Sequence, residues 1–298
     1  MASTPQDSAW RVKAPLLVLV AGVCWGCISL FSQALAAAGL TSLQITAARC
    51  FFTAVVLALV LVVCKRDCFR IQLRDLWMFV GSGVLSISFF NVCYFACMQE
   101  CSVSIAAVLL YTAPCFVTVL ARVFFKEALT KRKVACLVVA FCGCALVAGI
   151  GSTGATATPL GVALGLGSGI GYALYSIFGT MALKKYSPFT FAFYTFVFAA
   201  VAMLVISQPV QIAQVMAADY TVGLVALGLA VLCTAVPFTC YTVGLQHMEA
   251  SKASILAFVE PLVALLVGAF VFHDVLTPLN MVGICCILAA VVALSLKK

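Results

Sequence analysis

The segment YFACMQECSVSIAAVLLYTAPCFVTVLARVFFKEALT, residues 94–130, returns 147 positions later without a gap as YTVGLQHMEASKASILAFVEPLVALLVGAFVFHDVLT, residues 241–277. The shift keeps aromatic, proline, acidic and threonine positions in register: Tyr94 and Tyr241, Pro114 and Pro261, Glu127 and Asp274, and Thr130 and Thr277. It extends backwards to pair Gly22 with Gly169. One shift held over this length indicates a duplicated half, because copies of one structural unit preserve its spacing.

The composition of the chain indicates a membrane protein. Hydrophobic residues make up 65% and charged residues 9% of its 298 residues, whereas soluble domains carry about 25% charged residues. In lipid, each apolar run of about 20 residues can cross the hydrocarbon. Ten such spans are predicted: 14–36, 43–64, 76–98, 104–125, 134–150, 160–183, 188–207, 221–245, 253–272 and 279–296. A further segment, 208–220, is predicted to lie flat at the interface.

The repeat divides the chain into two halves of five spans. We expect a cytoplasmic N-terminal tail at 1–13, a first half at 14–150, an outer linker at 151–159 and a second half at 160–298. Because five is odd, the second half enters the membrane upside down, as in many secondary transporters. The predicted fold is therefore an all-α membrane protein, with ten transmembrane helices in two inverted five-helix repeats.

Loop charges predict the orientation of the chain. One set of loops carries the Lys and Arg residues: Lys65, Arg66, Arg70, Arg74, Arg122, Lys126, Lys131, Arg132, Lys133, Lys184, Lys185, Lys252, Lys297 and Lys298. The other loops hold Glu100, Asp219 and Asp274 and no Lys or Arg. Basic loops stay on the cytoplasmic side. We therefore expect a multi-pass protein of the cytoplasmic (cell inner) membrane with both termini cytoplasmic, and no nucleic-acid binding despite the net charge of +8.

Glu260 is the only charged residue in the ninth predicted span. It lies roughly 10 Å from the inner surface at 1.5 Å per residue. A carboxylate at that depth is costly unless it is protonated, paired or hydrated, so we expect it to be neutral whenever the site is dry. Two interpretations remain: a proton-exchanging group, or a structural hydrogen bond to a neighbouring helix. The repeat places Ala113 at the matching position, so the halves differ here.

Arg49 is the only Lys or Arg well inside a predicted span. It could reach the outer interface by snorkelling, or it could anchor a carboxylate of Glu260 or of a substrate. Pro114 and Pro261 lie inside the fourth and ninth spans, where each removes a helix hydrogen bond. We predict a kink at both prolines, which is tolerated in a membrane when neighbouring groups satisfy the freed carbonyl. Such kinks could act as hinges or border a site.

Polar and aromatic side chains recur at helical spacing on several spans. Faces of this kind turn away from lipid toward a partner helix or a cavity. The predicted substrate-binding residues come from both halves: Trp25, Ser29, Asn91, Tyr94, Tyr111, Tyr172, Ser176 and Tyr241. Ser32 and Gln33 continue the face of the first span. The pattern indicates a central aqueous pocket whose rings offer stacking surface and hydroxyl groups.

The sequence carries no enzyme or cofactor signature. Its two histidines, His247 and His273, lie in predicted loops, so no metal site is expected. It has no Gly-Lys-Ser/Thr phosphate loop and no nucleophile elbow. Cys24 and Cys27 have CxxC spacing in the first span, which leaves a membrane thiol-redox protein as an alternative from another functional class. Buried free thiols more often behave as small hydrophobic groups.

At these positions the chain resembles the ten-helix EamA-type transporters of the drug/metabolite transporter superfamily. The matching pieces are Trp25-Gly26, Ala48-Arg49-Cys50-Phe51, Tyr111-Thr112-Ala113-Pro114, Phe125-Lys126-Glu127-Ala128-Leu129-Thr130, Val259-Glu260-Pro261 and Phe272-His273-Asp274-Val275-Leu276-Thr277. His273-Asp274 departs from the Gly-Glu that is common in the family. The resemblance implies a secondary carrier of small metabolites, often amino acids and often outward, with a cavity between its halves.

The predicted function is a secondary transporter, not an enzyme, that exports small metabolites such as amino acids by alternating access. Protons are the candidate coupling ion. The bilayer and a small-molecule substrate are the expected partners, and the sequence is compatible with a homodimer. Cationic drugs are the rival substrate class, because they would pair with Glu260. A membrane scaffold without transport activity is a third alternative, which predicts no substrate flux.

Single-cysteine reporters in a cysteine-free variant test the orientation. Lys131→Cys and Lys185→Cys should react with an impermeant maleimide only from the cytoplasmic side, and Ser152→Cys only from outside, because one span separates residues 131 and 152. Labelling of positions 131 and 152 from the same side would exclude the inverted repeat.

Overall fold

A computed structural model describes residues 5–64, 66–149 and 157–295. Over these residues the chain is helical, and the bridge between Cys101 and Ala157 is the only β-type pairing. Lys65, Lys297, Lys298 and most of the predicted linker, including Ser152, lie outside the described residues.

Nine helical spans in the described ranges are long and apolar enough to cross a membrane: Ala9–Ala37, Ser42–Val63, Leu73–Glu100, Val103–Phe125, Pro159–Ala182, Pro188–Ile206, Tyr220–His247, Ala250–Val271 and Pro278–Ser295. A tenth helix, Lys131–Val147, has 17 residues, or about 25 Å at 1.5 Å per residue. We number the ten as spans 1 to 10 in chain order, so this shorter helix is span 5. The all-α membrane fold is confirmed, with nine long spans and one shorter helix.

Spans 4 and 9 are interrupted at repeat-related positions. Each consists of two helices: Val103–Leu110 with Ala113–Phe125, and Ala250–Leu256 with Val259–Val271. Pro114 and Pro261 lie within the first turn after each interruption, where proline is tolerated because its missing N–H would have no intrahelical partner. Span 1 is also interrupted, at Cys27, whereas its counterpart span 6 is continuous.

Two further spans contain π-helical turns at related positions. These turns occupy Gly81–Ser88 in span 3 and Val231–Ala235 in span 8, and the shift of 147 places the second over residues 84–88. Turns of this kind are frequent at functional sites. The segment that was predicted to lie at the interface forms the helix Pro209–Ala218 between spans 7 and 8.

The two halves pack around an approximate two-fold axis. Span 1 contacts spans 8 and 9, and its repeat counterpart, span 6, contacts spans 3 and 4. Span 2 packs against span 7, and span 5 packs against span 10. The contacts of span 1 with spans 8 and 9 are thus repeated by those of span 6 with spans 3 and 4, as two-fold symmetry requires.

The Cys101–Ala157 bridge reveals the inversion. Cys101 follows span 3, and Ala157 precedes span 6. Beside the bridge, the Thr158 hydroxyl donates to Glu100 Oε2 at 2.9 Å. Because span 3 ends on the face opposite to the start of span 1, span 6 begins on that opposite face. We call the face where span 1 begins the inner face, and the other the outer face, following the predicted orientation.

Glycines allow close helix contacts at the two interruptions. A side chain on Gly22 would collide with Val259 in span 9, and one on Gly169 would lie 3.0 Å from the Leu109 carbonyl in span 4. One turn after Gly22, a side chain on Gly26 would lie 2.8 Å from the carbonyl oxygen of Glu260. Small residues let helix backbones approach this closely, and here they bring span 1 directly onto the backbone of Glu260.

We expect Gly26→Ala to destabilise the protein by about 1–3 kcal/mol, the usual cost of overpacking. The new methyl group would lie 2.5 Å from Val263 Cβ and 2.8 Å from Glu260 O, and neither atom is the free end of a flexible side chain. Thermal unfolding of the purified protein in detergent measures the effect. Gly223→Ala is the matched control, because no atom lies within 4 Å of its added Cβ. Equal melting temperatures for the two variants would contradict the packing argument.

Candidate functional site

A cavity of about 440 Å³ lies between the two halves. Its walls come from spans 1, 2, 3 and 4 of the first half and spans 6, 8 and 9 of the second. The deepest lining residues include Tyr172 and Glu260, near the middle of their spans. The outermost are Ala36, at the end of span 1, and Ser42, at the start of span 2. The cavity therefore occupies the outer half of the bundle and reaches the outer face.

Glu260 stands just after the interruption of span 9. It is ten residues from Ala250, the first residue of the span, which places it roughly 15 Å along the helix axis at 1.5 Å per residue. This depth is greater than expected, because the helix begins before the predicted start at residue 253. Tyr172 Oη donates to Glu260 Oε2 at 3.1 Å, across the interface between spans 6 and 9.

Arg49 lines the same cavity and is 9% exposed. Within the described residues it forms no ion pair, and its Nε is buried without a hydrogen-bond acceptor. Its charge acts on Glu260 through space, but the two side chains make no direct ion pair. A buried cation without an acceptor is costly, so this wall offers a positive charge to an anionic group. The burial of Arg49 also argues against snorkelling to the interface.

Aromatic rings form the floor and one wall of the cavity. Trp25 meets Phe238 edge to face, with ring centroids 5.0 Å apart, and Tyr172 meets Phe90 in the same way at 5.4 Å. The indole Nε1 of Trp25 is buried without an acceptor in the described chain. Edge-to-face pairs favour fixed ring positions, and two residues that line this apolar surface, Trp25 and Arg49, carry buried N–H donors without an acceptor in the described chain.

Most of the predicted site residues meet at this cavity. The lining includes Trp25, Ser29, Arg49, Asn91, Tyr94, Tyr111, Tyr172 and Glu260. Ser176 and Tyr241 lie beneath the floor instead, with their hydroxyl groups 2.7 Å apart, beside a void of about 10 Å³. Trp25 packs over Tyr241, with ring centroids 5.4 Å apart. The expectation that Tyr241 and Ser176 face the shared cavity is therefore corrected, because Trp25 covers them.

Several lining residues were missed by sequence reasoning. Thr46 lies one turn before Arg49 on the same face of span 2, so helical spacing from the charged residue could have found it. Phe90, Phe95 and Phe238 also line the cavity, but no sequence signal marks them. An apolar ring suits lipid, a packed core and a cavity wall equally well, and only the tertiary packing decides among these.

The structure also bears on the thiol and proline predictions. Cys24 and Cys27 are free thiols, and Cys27 lies at the interruption of span 1. Within the described residues, no group of three or more His, Cys, Asp or Glu side chains could hold a metal ion. Pro114 and Pro261 border the interruptions and do not line the cavity, so a hinge role for them stays a prediction.

Comparison with known proteins identifies the family. Residues 12–149 and 159–296 each match the model of the EamA-like transporter family. The chain belongs to this family. This EamA-family protein is accordingly a multi-pass membrane transporter and not an enzyme, and each of its halves carries one copy of the family's repeat.

Individual relatives agree with this assignment. A transporter of Archaeoglobus fulgidus, described as uncharacterized, is 32% identical over 92% of this chain and 93% of its own length. The threonine/homoserine exporter RhtA of Salmonella typhimurium is 27% identical over 69% of this chain and 67% of its own length. A solved crystal structure with 14% identity superposes with a TM-score of 0.77 and covers 94% of this chain and 95% of that chain, which supports the fold alone.

The different positions of Tyr94 and Tyr241 predict different effects of mutation. Tyr94→Leu removes a hydroxyl from the cavity wall, so we expect several-fold weaker substrate transport at an unchanged melting temperature. Tyr241→Leu leaves the buried Ser176 hydroxyl without its partner, which costs about 1–3 kcal/mol, so the melting temperature should fall. Flux in proteoliposomes and unfolding in detergent measure the two effects. If both variants lose the same amount of stability, Tyr94 serves mainly in packing, as Tyr241 does.

Proposed function

We propose that this EamA-family protein exports small zwitterionic metabolites, amino acids among them, by alternating access. One observation carries the proposal: Arg49 and Glu260 line one cavity without pairing with each other. A zwitterion would satisfy both groups at once. Its carboxylate would accept charge-assisted hydrogen bonds from the guanidinium, and its ammonium group would donate to Glu260.

The size and lining of the cavity suit an amino acid. Small-molecule sites typically measure about 300–1,000 Å³, and this cavity measures about 440 Å³. The charged ends of the substrate would lie toward Arg49 and Glu260, and its side chain would contact rings such as Phe90 and Phe95. The exporter name of RhtA agrees with this substrate class and with outward movement.

The inverted repeat supports alternating access. In this structure the cavity opens toward the outer face, while the inner helix of span 9, Ala250–Leu256, packs against spans 1, 4 and 5. Inverted repeats can exchange these arrangements by rocking one repeat against the other around a fixed central site. The interruptions of spans 4 and 9, at the level of the cavity, would let the half-helices move relative to each other.

Glu260 would couple this cycle to protons. When the cavity is open to water, hydration favours the ionised carboxylate; when the cavity is closed and dry, desolvation favours the neutral acid. A group that alternates between these environments can carry a proton in one direction as substrate moves in the other. Tyr172 would hold the carboxyl group in place through its hydrogen bond.

The test is substrate flux in proteoliposomes, with labelled threonine first and then a panel of amino acids. Glu260→Gln keeps the shape of the neutral acid but cannot titrate. We expect this variant to retain most exchange of substrate across the membrane and to lose accumulation driven by an imposed pH difference.

Glu100→Gln is the matched control, because Glu100 lies at the outer end of span 3 and outside the cavity. It should accumulate substrate normally. If Glu260→Gln still concentrates substrate in response to the pH difference, Glu260 is structural and the coupling proposal fails.

A competition experiment separates zwitterions from cationic drugs, the rival substrate class. An amino acid amide keeps the ammonium group and lacks the carboxylate, so it should compete poorly with threonine, and Arg49→Gln should remove the difference between the two. Equal competition by amide and amino acid in the wild type would favour cationic substrates.

The thiol-redox alternative predicts that Cys27→Ser is inactive, whereas the transport proposal predicts unchanged flux.

A further inference from the structure

An ionic cluster joins the two halves at the inner face. Lys133, at the start of span 5, lies 2.9 Å from Glu249 Oε2 and 3.6 Å from Glu127 Oε2. Glu249 precedes span 9 and also pairs with Lys252 at 2.8 Å. Although burial acts to raise the pKa of Glu249, the neighbouring ammonium groups of Lys252 and Lys133 outweigh it, and the pKa lies below its ordinary value. The Glu249 carboxylate is therefore ionised at neutral pH.

Glu127 completes this contact by capping span 9. Its carboxylate accepts hydrogen bonds from the backbone N–H of Ala250 at 2.8 Å and of Ser251 at 3.3 Å, and also from the Ser251 hydroxyl. A carboxylate at a helix N-terminus is favourable, because the first N–H groups lack intrahelical partners and carry partial positive charge. The loop between spans 4 and 5 is thus fastened to the inner end of span 9.

The outer face contains the repeat-related loop, with the same backbone but without the contact. Lys126 and His273 both adopt left-handed conformations, with φ of 57° and 60°. The backbone N–H of Glu127 donates to the carbonyl oxygen of Ala121 at 3.3 Å. The backbone N–H of Asp274 donates in the same way to the carbonyl oxygen of Gly268, the residue that the repeat relates to Ala121, at 3.1 Å. Yet the Asp274 carboxylate is exposed and accepts no hydrogen bond from the described residues.

The start of span 4, which the repeat relates to the start of span 9, also lacks such a carboxylate contact in the described chain. The shift of 147 maps Ala250 and Ser251 onto Val103 and Ser104, at the start of span 4. In this structure that end is capped by its own Ser102, which accepts from the N–H of Ile105 at 3.4 Å. The fastened loop lies on the closed inner face, and the unfastened loop lies on the outer face, toward which the cavity opens.

We propose that Glu127 and Asp274 form a reciprocal pair of locks. Glu127 closes the inner face in the outward-open state, and Asp274 closes the outer face in the inward-open state by accepting hydrogen bonds from Val103 N–H, Ser104 N–H and the Ser104 hydroxyl. The inference rests on the proposed alternating-access transport, and it assigns roles to two carboxylates outside the substrate cavity.

The two locks differ in strength. The shift maps Lys133 onto Asn280 and Glu249 onto Ser102, so the outer lock has no ion pair to reinforce it. Asn280 instead donates to the carbonyl groups of Leu146 and Val147, at 3.2 and 3.1 Å. The inner lock is the stronger of the two, which accounts for the outward-open arrangement of this structure.

Maleimide labelling of single cysteines in sealed vesicles measures which face is open. Ser42→Cys reports the outer cavity, and Ser254→Cys, buried four residues after Ala250, reports the inner end of span 9. We expect Glu127→Gln to speed labelling of the inner reporter and slow labelling of the outer one. The expected change is about fivefold, the population shift for losing one charged helix cap.

Reciprocity gives the decisive test. Asp274→Asn introduced into Glu127→Gln should return both labelling rates toward wild type, because it weakens the outer lock. Asp219→Asn, which removes an outer carboxylate at the start of span 8, is the matched control and should change neither rate. If Glu127→Gln leaves both rates unchanged, or if Asp274→Asn has no effect in that background, the proposal is overturned.

Milder variants cover the case in which Glu127→Gln fails to insert. Ser251→Ala removes one donor from the inner lock and should shift the labelling rates in the same direction by a smaller factor. Ser104→Ala, added to Ser251→Ala, should reverse this shift. An unchanged labelling rate in either variant overturns the proposal. Labelling needs no substrate, so it is independent of the flux assay. Shifted labelling without any amino acid flux would leave the locks standing and reject the proposed substrates.

Discussion

The packing of this transporter depends on two places where a glycine of one span contacts the interruption of another span. Gly22 of span 1 faces the interruption of span 9, and Gly169 of span 6 faces that of span 4. Any Cβ atom at these positions would push the spans apart. The close approach holds the interrupted backbones at the centre of the bundle, which brings Glu260 from one interruption and Tyr111 from the other onto the same cavity. Helix packing in lipid relies on such small residues because apolar side chains gain little by leaving a lipid environment.

The scaffold is nearly symmetric, but its chemistry is not. The repeat relates Glu260 to Ala113 and Arg49 to the buried Phe196, so each half contributes one charged group whose counterpart is apolar. A symmetric pair of carboxylates or guanidiniums would repel each other in a medium of low dielectric constant. One cation from the first half and one carboxyl group from the second can instead share a cavity without pairing with each other. Two-fold symmetry thus relates the two halves of the backbone, while its local loss at these two positions makes the cavity chemically asymmetric.

The charged groups at the inner face and those at the centre of the bundle lie in different environments. Glu249 and Lys252 are partly exposed, so water supports them, and Glu127 gains further stabilisation from the N-terminus of span 9. Such contacts can break and re-form as the faces open and close. Arg49 is instead mostly buried, and its Nε has no acceptor among the described residues, so water or a ligand would relieve the energetic cost of its isolation. This contrast separates the proposed locks at the inner face from the proposed substrate site at the centre.

The sequence alone determined the membrane class, the duplication and the inversion, because these follow from hydropathy, an odd number of spans and a constant spacing of 147 residues. The family was indicated by the resemblance of short motifs such as Val259-Glu260-Pro261. It also identified Glu260, Arg49 and most polar lining residues, since charges and hydroxyl groups inside apolar spans are costly unless a partner helix, water or a ligand satisfies them. Only the tertiary structure decided that Trp25 covers Tyr241 and Ser176 and that Phe90 and Phe95 face the cavity. It also decided that Glu127 reaches span 9, whereas Asp274 accepts no hydrogen bond from the described part of the chain. Hydrophobic patterning specifies which residues leave water, but the packing of rings and the capping of a distant helix depend on which spans become neighbours.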